Sequence, residues 1–226
     1  MSASADFDLI INHLGSFITD HKKNLVEEVL SHRTRYITLV LEDIYQSQNA
    51  SAVFRTAECF GVQDIHLIEN LNKYSLSRGV LKGANKWLNL IHHNSSDDNT
   101  ASCFQQLKDG GYKILATAPN AVQSISDVDV SEKVALILGN ELNGLSDYAK
   151  KHADIQVKIP MYGFTESLNL SVSAAIGVSE LITKLRRSKI KWQLSLTERK
   201  ELKLLWYRKL VRNSAIIEKS YLNSIK

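Results

Sequence analysis

From residue 36 onward, short runs of aliphatic and β-branched residues alternate with longer segments in which apolar positions recur every three to four residues. The short runs predict strands over residues 36–41, 65–68, 88–92, 113–117, 134–138 and 155–159. The longer segments predict helices over residues 50–60, 100–108, 146–152 and 169–187. Val134-Ala-Leu-Ile-Leu138 shows no polar alternation, which fits a strand covered on both faces in a parallel sheet. Strands joined by crossover helices make this an α/β fold. The last of these helices ends in Lys184, Arg186 and Arg187, cations that suit its negative C-terminal dipole.

Helical spacing also appears outside this region. Phe7, Ile10, Ile11, Leu14 and Phe17 mark an N-terminal helical extension, and Leu202, Leu205, Trp206, Leu210 and Ile217 mark an amphipathic helix near the other end. The expected organisation is an extension over residues 1–35, an α/β domain over 36–187 and a basic helical extension over 188–226. With 2 prolines in the chain, linkers are short and both extensions are expected to pack on the α/β core.

Composition changes this picture little. The chain has 226 residues, 44% hydrophobic and 23% charged, an ordinary globular balance. Its longest apolar run is 5 residues, and the first 20 carry no basic segment followed by an apolar stretch, so neither a membrane span nor a secretory signal is expected and the cytoplasm is the expected location. Cys59 and Cys103 lack CxxC spacing, and the 7 histidines form no HExxH or H-x3-5-H pattern, so no disulfide framework and no metal are expected. Charge is more informative. Residues 184–226 carry a net +10, whereas the preceding 183 residues carry −6. Such a tail suggests a polyanionic partner, met by a helix docked on an acidic core.

Three segments place small or polar residues where an apolar strand ends, which is where open α/β sheets bind ligands. In Asn49-Ala-Ser-Ala-Val-Phe-Arg55, Asn49 is a candidate helix N-cap, with Arg55 nearly two turns on and roughly on its side. Leu138-Gly-Asn-Glu-Leu-Asn-Gly-Leu-Ser146 carries glycines with the P-loop interval but lacks the lysine that reaches phosphates. No G-x-G-x-x-G occurs either, so nucleotide hydrolysis and the usual dinucleotide fingerprint are disfavoured. The third, Ile159-Pro-Met-Tyr-Gly-Phe-Thr-Glu-Ser-Leu-Asn-Leu-Ser171, lacks the G-x-S-x-G of a serine hydrolase elbow. Ser167 or Asn169 is a candidate cap for the helix that follows, whose small face, Ser171, Ala174, Ala175 and Val178, is expected to admit another element closely.

Together, LEDIYQSQNASAVFRTAECFGV, ALILGNELNGLS and IPMYGFTESLNLSVSAAI resemble, in order, the three motifs of the SPOUT superfamily, specifically its SpoU branch of RNA ribose 2′-O-methyltransferases. The resemblance spans about residues 36–187, and the segment Gly83-Ala-Asn-Lys-Trp87 together with the helical extensions is most similar to the tRNA guanosine-18 2′-O-methyltransferases.

The resemblance implies a parallel sheet with a C-terminal trefoil knot, S-adenosylmethionine (SAM) as cofactor, an RNA substrate, expected to be tRNA, and a homodimer, in which the small face Ser171, Ala174, Ala175 and Val178 is expected to pack against the other protomer. It implies catalytic roles for Arg55, Asn49, Glu141, Ser167 and Asn169, and cofactor contacts from Thr117, Leu138, Gly139, Ile159, Met161 and Leu168. A charged guanidinium has no acceptor site, so Arg55 is expected to hold an RNA phosphate rather than act as a base, with Asn49 and Glu141 orienting it. Arg55, Lys82, Lys86, Lys200, Lys203, Arg208, Lys209 and Arg212 are the expected RNA contacts. Alternatives are a ribosomal RNA methyltransferase and a non-catalytic RNA-binding member of the fold.

Overall fold

The structure, a computed structural model, describes residues 3–72 and 83–225. In chain order the helices and strands begin with α1 (Ala3–Gly15), α2 (Asp20–Ser31), β1 (Ile37–Glu42), α3 (Ser47–Phe60), β2 (Asp64–Ile68), β3 (Asn89–His93) and α4 (Asn99–Asp109). They continue with β4 (Tyr112–Thr117), β5 (Gln123–Ser124), β6 (Lys133–Leu138), α5 (Asp147–His152), β7 (Ile155–Lys158), α6 (Leu170–Arg187), α7 (Leu196–Leu210) and α8 (Ser214–Ser224). The chain divides into two compact units, Thr34–Trp192 and the two chain ends, Met1–Arg33 with Gln193–Lys226.

The Thr34–Trp192 unit holds one sheet in the order β3-β2-β1-β6-β4-β7-β5, with every pairing parallel. Alternate residues of the central strands serve two cores. Ile37, Leu39, Leu41, Val134, Leu136 and Leu138 join Val53, Phe54 and Ala57 of α3 and Ala174, Val178 and Leu181 of α6. Val40, Ala135, Ile137, Ile114 and Ala116 face the other way and join Phe104 and Leu107 of α4 and Ala149 of α5. This is why β6 reads as an unbroken apolar run. Helix α6 lies so close to β6 that a Cβ at Gly177 would come within 2.6 Å of Leu136 Cδ2.

Most expected elements appear within a few residues of their expected bounds, with three corrections. Helix α3 begins at Ser47, so Asn49 is buried inside its first turn and Gln46 occupies the N-cap. The strand β5, two residues long, carries too little pattern to be read. Ala174 and Val178 are fully buried within this unit, so they cannot form the free small face expected of them.

The second unit corrects the expected organisation. Each extension is a pair of helices, and α7 packs on α1 and α2 while α8 packs on α1 and α7. Leu14, Leu30, Leu202, Leu204, Trp206 and Tyr207 are buried, so the apolar side of the tail helix serves the N-terminal helices. The Arg33 guanidinium lies 5.4 Å from the Trp206 ring centroid. Ser195 and Glu198 form a capping box that starts α7. Lys200 pairs with Asp8 at 2.7 Å, Lys203 and Arg199 with Glu27 at 2.5 and 3.2 Å, and Arg208 with Glu218 at 2.8 Å.

Candidate functional site

The site lies at the C-terminal ends of β4, β6 and β7. After β6 the chain must turn sharply, and the N–H groups of Asn140 and Gly144 each donate to the other's carbonyl at 2.9 and 2.8 Å. Gly144 has φ of 68°, the left-handed region that favours glycine. Gly139 is held by space: a Cβ there would come within 2.3 Å of the backbone of Gly144 and Leu145. Asn140 Oδ1 accepts from the N–H of Leu142 at 2.8 Å, and its Nδ2 donates to the Asp43 carbonyl at 2.5 Å. Beneath the loop, the buried Glu42 carboxylate accepts from the Ser146 N–H and hydroxyl, each at 2.8 Å, and from the Thr100 hydroxyl at 2.7 Å. A buried carboxylate satisfied in this way anchors the loop to α4 and α5.

Glu141, in the same loop, reaches the start of α3. Its carboxylate accepts from the N–H groups of Tyr45 and Gln46 at 3.0 and 3.3 Å and from Asn49 Nδ2 at 2.8 Å. An anion is favourable there because the first N–H groups of a helix lack internal partners. Asn49 Oδ1 in turn accepts from Asn169 Nδ2 at 3.1 Å. The Asn169 Oδ1 caps α6, accepting from the Ser171 N–H at 2.8 Å and its hydroxyl at 2.6 Å. One chain of hydrogen bonds therefore joins all three segments singled out in the sequence.

These residues border a cavity of about 860 Å³. Thr117, Leu138, Gly139, Ile159, Met161 and Leu168 line it, together with Asn49, Glu141, Ser167 and Asn169. Pro119, Asn120, Gln156 and Lys158 also line it and lie in no motif, and Gln46, which lines it too, lies in the first motif without a signal of its own. The Thr117 hydroxyl donates to the Ile137 carbonyl at 3.0 Å.

Other expected site residues lie elsewhere. Arg55 is exposed on α3 and does not line the cavity, because six residues turn it by about 240° from the buried Asn49. Asn49 and Glu141 therefore orient Asn169 rather than Arg55. Lys86 is exposed in the short helix at Ala84–Lys86, and Lys82 lies outside the described residues. In the helical unit, Lys200, Lys203 and Arg208 are engaged by Asp8, Glu27 and Glu218, whereas Arg212 is exposed.

The chain matches the model of the SpoU rRNA Methylase family over residues 36–179. It is 44% identical to a tRNA (guanosine(18)-2'-O)-methyltransferase of Borreliella burgdorferi, over 92% of this chain and 94% of that protein. This chain belongs to the SpoU rRNA methylase family. Another relative, a tRNA (guanosine(18)-2'-O)-methyltransferase of Thermus thermophilus, is 32% identical over 70% of this chain and 80% of its own. Among solved structures, the A. aeolicus TrmH/SpoU tRNA modifying enzyme superimposes with a TM-score of 0.73 at 27% identity, covering 85% of this chain and 98% of that one. The family match covers the strands, loops and helices that build the cavity of this SpoU family member, and the match to the Borreliella relative, over 92% of this chain, reaches beyond it into both end segments.

Proposed function

We propose that this SpoU family member methylates a ribose 2′-hydroxyl of RNA, at guanosine 18 of tRNA, with SAM as methyl donor. The observation that carries the reading is the hydrogen-bonded chain Glu141–Asn49–Asn169 at the rim of a cavity built from all three family motifs. The tRNA (guanosine(18)-2'-O)-methyltransferases among its relatives suggest the substrate.

The residues present fit SAM. A cavity of about 860 Å³ suits a nucleoside with an amino acid attached. Leu138, Ile159 and Leu168 supply apolar walls for an adenine ring, and Gly139 lets the loop fold back tightly at the cavity wall. When bound, SAM supplies a methyl group already activated on a sulfonium. The protein's task is then to position the 2′-hydroxyl in line and to tolerate loss of its proton. Asn169, held from both sides by Asn49 and by Ser171, presents a fixed amide at the cavity rim. Arg55, exposed and planar, is suited to a bidentate contact with the phosphate beside the target ribose, with the proton leaving to phosphate or water. Lys86 and Arg212 are further cations suited to phosphates.

The reading includes a trefoil knot in the segment after β6 and a homodimer, both expected of the family. The strand order supports the first, since β4 lies between β6 and β7, which follow it in sequence. Tyr162 and Phe164, 97% and 108% exposed beside the cavity-lining Met161, support the second, because large exposed aromatic residues favour an interface. They replace the buried Ala174 and Val178 as the candidate dimer face. No helix among the described residues is long and apolar enough to cross a membrane, and action in the cytoplasm belongs to the same proposal.

The test is transfer of labelled methyl from SAM to unmodified tRNA, followed by nucleotide mapping. Label on the ribose of guanosine 18 is expected. Transfer only to ribosomal RNA would overturn the substrate, and RNA binding without transfer would make the protein a non-catalytic member of the fold.

A further inference from the structure

We propose that His66, His93 and Cys103 form a binding site for a borderline-soft divalent cation of the zinc class, bracing β2, β3 and α4 on the face of the sheet covered by α4. The three ligand atoms lie within 4.8 Å of one another, and all three residues are buried. They are the one such group of His, Cys, Asp and Glu found among the described residues. No motif announces them, because the sheet register creates the group. His66 pairs with Ile91, so His93, two residues on, falls on the same face as its diagonal neighbour. Cys103 comes down onto that face from α4, in a layer otherwise filled by Val40, Ile68, Phe104 and Ile114.

The geometry is close to that of a coordination sphere. His66 Nδ1 and His93 Nε2 are 2.9 Å apart, with the rings stacked at an interplanar angle of 18°. Tetrahedral zinc with bonds of about 2.0–2.3 Å separates nitrogen ligands by about 3.3 Å and nitrogen from sulphur by about 3.6 Å. Opening the histidine pair by a few tenths of an ångström and drawing in Sγ meets this. Burial keeps both imidazoles neutral, with His66 pushed down to about 4, so once the proton between the facing nitrogens has moved to the outer nitrogen of its own ring both lone pairs are available without net proton loss. The Cys103 thiol is held protonated by burial and by Glu42. Binding therefore exchanges the S–H bond for a metal–sulphur bond and releases one proton per ion, while each imidazole keeps one proton on its outer nitrogen. Three protein ligands leave the fourth position to an exogenous donor. None of the three residues lines the cavity described above, so the site is independent of the proposed methyl transfer.

The experiment uses the full chain carrying Cys59→Ser, which removes the exposed thiol. Titration with Co²⁺ is expected to saturate at one ion per chain, with the visible bands of a tetrahedral centre and a thiolate charge-transfer band, and Zn²⁺ is expected to displace it. Calorimetry of Zn²⁺ binding in buffers of differing ionisation enthalpy should read one proton released. Cys103→Ala is expected to lose the charge-transfer band while keeping methyl transfer. X-ray absorption of the zinc-loaded Cys59→Ser protein keeps the test independent of how Cys103→Ala folds, since one sulphur with nitrogen neighbours is expected. A sulphur-free first shell, or a six-coordinate cobalt spectrum without charge transfer, would leave only a hydrogen-bonded histidine pair beside a buried thiol and overturn the proposal.

Discussion

The two units of this chain are stabilised differently. In Thr34–Trp192 the cores are aliphatic strands covered on both faces, and the polar groups at the strand ends are satisfied by one another around the cavity. In the unit made from the chain ends, a smaller core contains Trp206 and Tyr207, and ion pairs tie α7 to residues of α1 and α2. The comparison also recasts the charge. By sequence position the last 43 residues carry +10 against −6 for the rest. By unit, the helical part has 11 basic and 8 acidic residues and the sheet part 17 and 16, so the net charges are +3 and +1. A basic run in sequence is therefore not a basic body in space, because several of its cations pair with acids of the N-terminal helices.

The largest expected effect tests whether the two units stand apart. Trp206→Ala removes a side chain that is 2% exposed and is expected to cost about 3–5 kcal/mol in the helical unit. SAM binding, measured by calorimetry, is expected to persist under conditions where circular dichroism shows the helical unit weakened. Parallel loss of both would show that the units unfold together.

Within the sheet unit, Arg55→Ala and Gly139→Ala separate the RNA side from the cavity. Arg55→Ala is expected to lower methyl transfer by about 10²–10³ with SAM binding intact, and Arg55→Lys to rescue it poorly. Gly139→Ala is expected to lose SAM binding itself, because its Cβ would meet the Gly144 backbone at 2.3 Å and force the loop to move. If Arg55→Ala instead weakened SAM binding and left turnover of bound complex unchanged, Arg55 would belong to the cavity.

The smallest effect concerns acid. Burial would raise the Glu27 carboxyl, but Lys203 and Arg199 outweigh it and hold the group below its ordinary 4.5. A depressed carboxyl contributes stability that is present above the unfolded value and lost as pH falls below it toward the folded value. The helical unit is therefore expected to weaken below about pH 4.5, where Glu27→Gln reduces the dependence by about 0.5–1 kcal/mol, the scale of partly exposed ion pairs. Thermal melts of both proteins across that range read the difference; identical pH profiles would show that the pairs contribute nothing.

How far the site was legible follows from which interactions are local. Gly139, Gly144 and the capping Asn169 could be read because turns and caps are decided within a few residues. Asn49 could be noticed but not placed: its burial depends on Glu141 and Asn169, 92 and 120 residues away. Gln156 and Lys158 gave no signal, since they line the cavity only because β7 lies beside β4.

By itself, the sequence determined the α/β class, the strands long enough to show a pattern, the separate character of the two ends and the three loops that carry the family's chemistry, all properties set by periodicity and short-range sterics. Tertiary structure alone decided that the two ends join, that Asn49 lines the cavity while Arg55 does not, and that His66, His93 and Cys103 meet. Those outcomes depend on strand order, register and helix phase, which bring together residues separated by tens to hundreds of positions. No local pattern encodes them, because the free energy that selects them comes from burying both faces of the sheet at once.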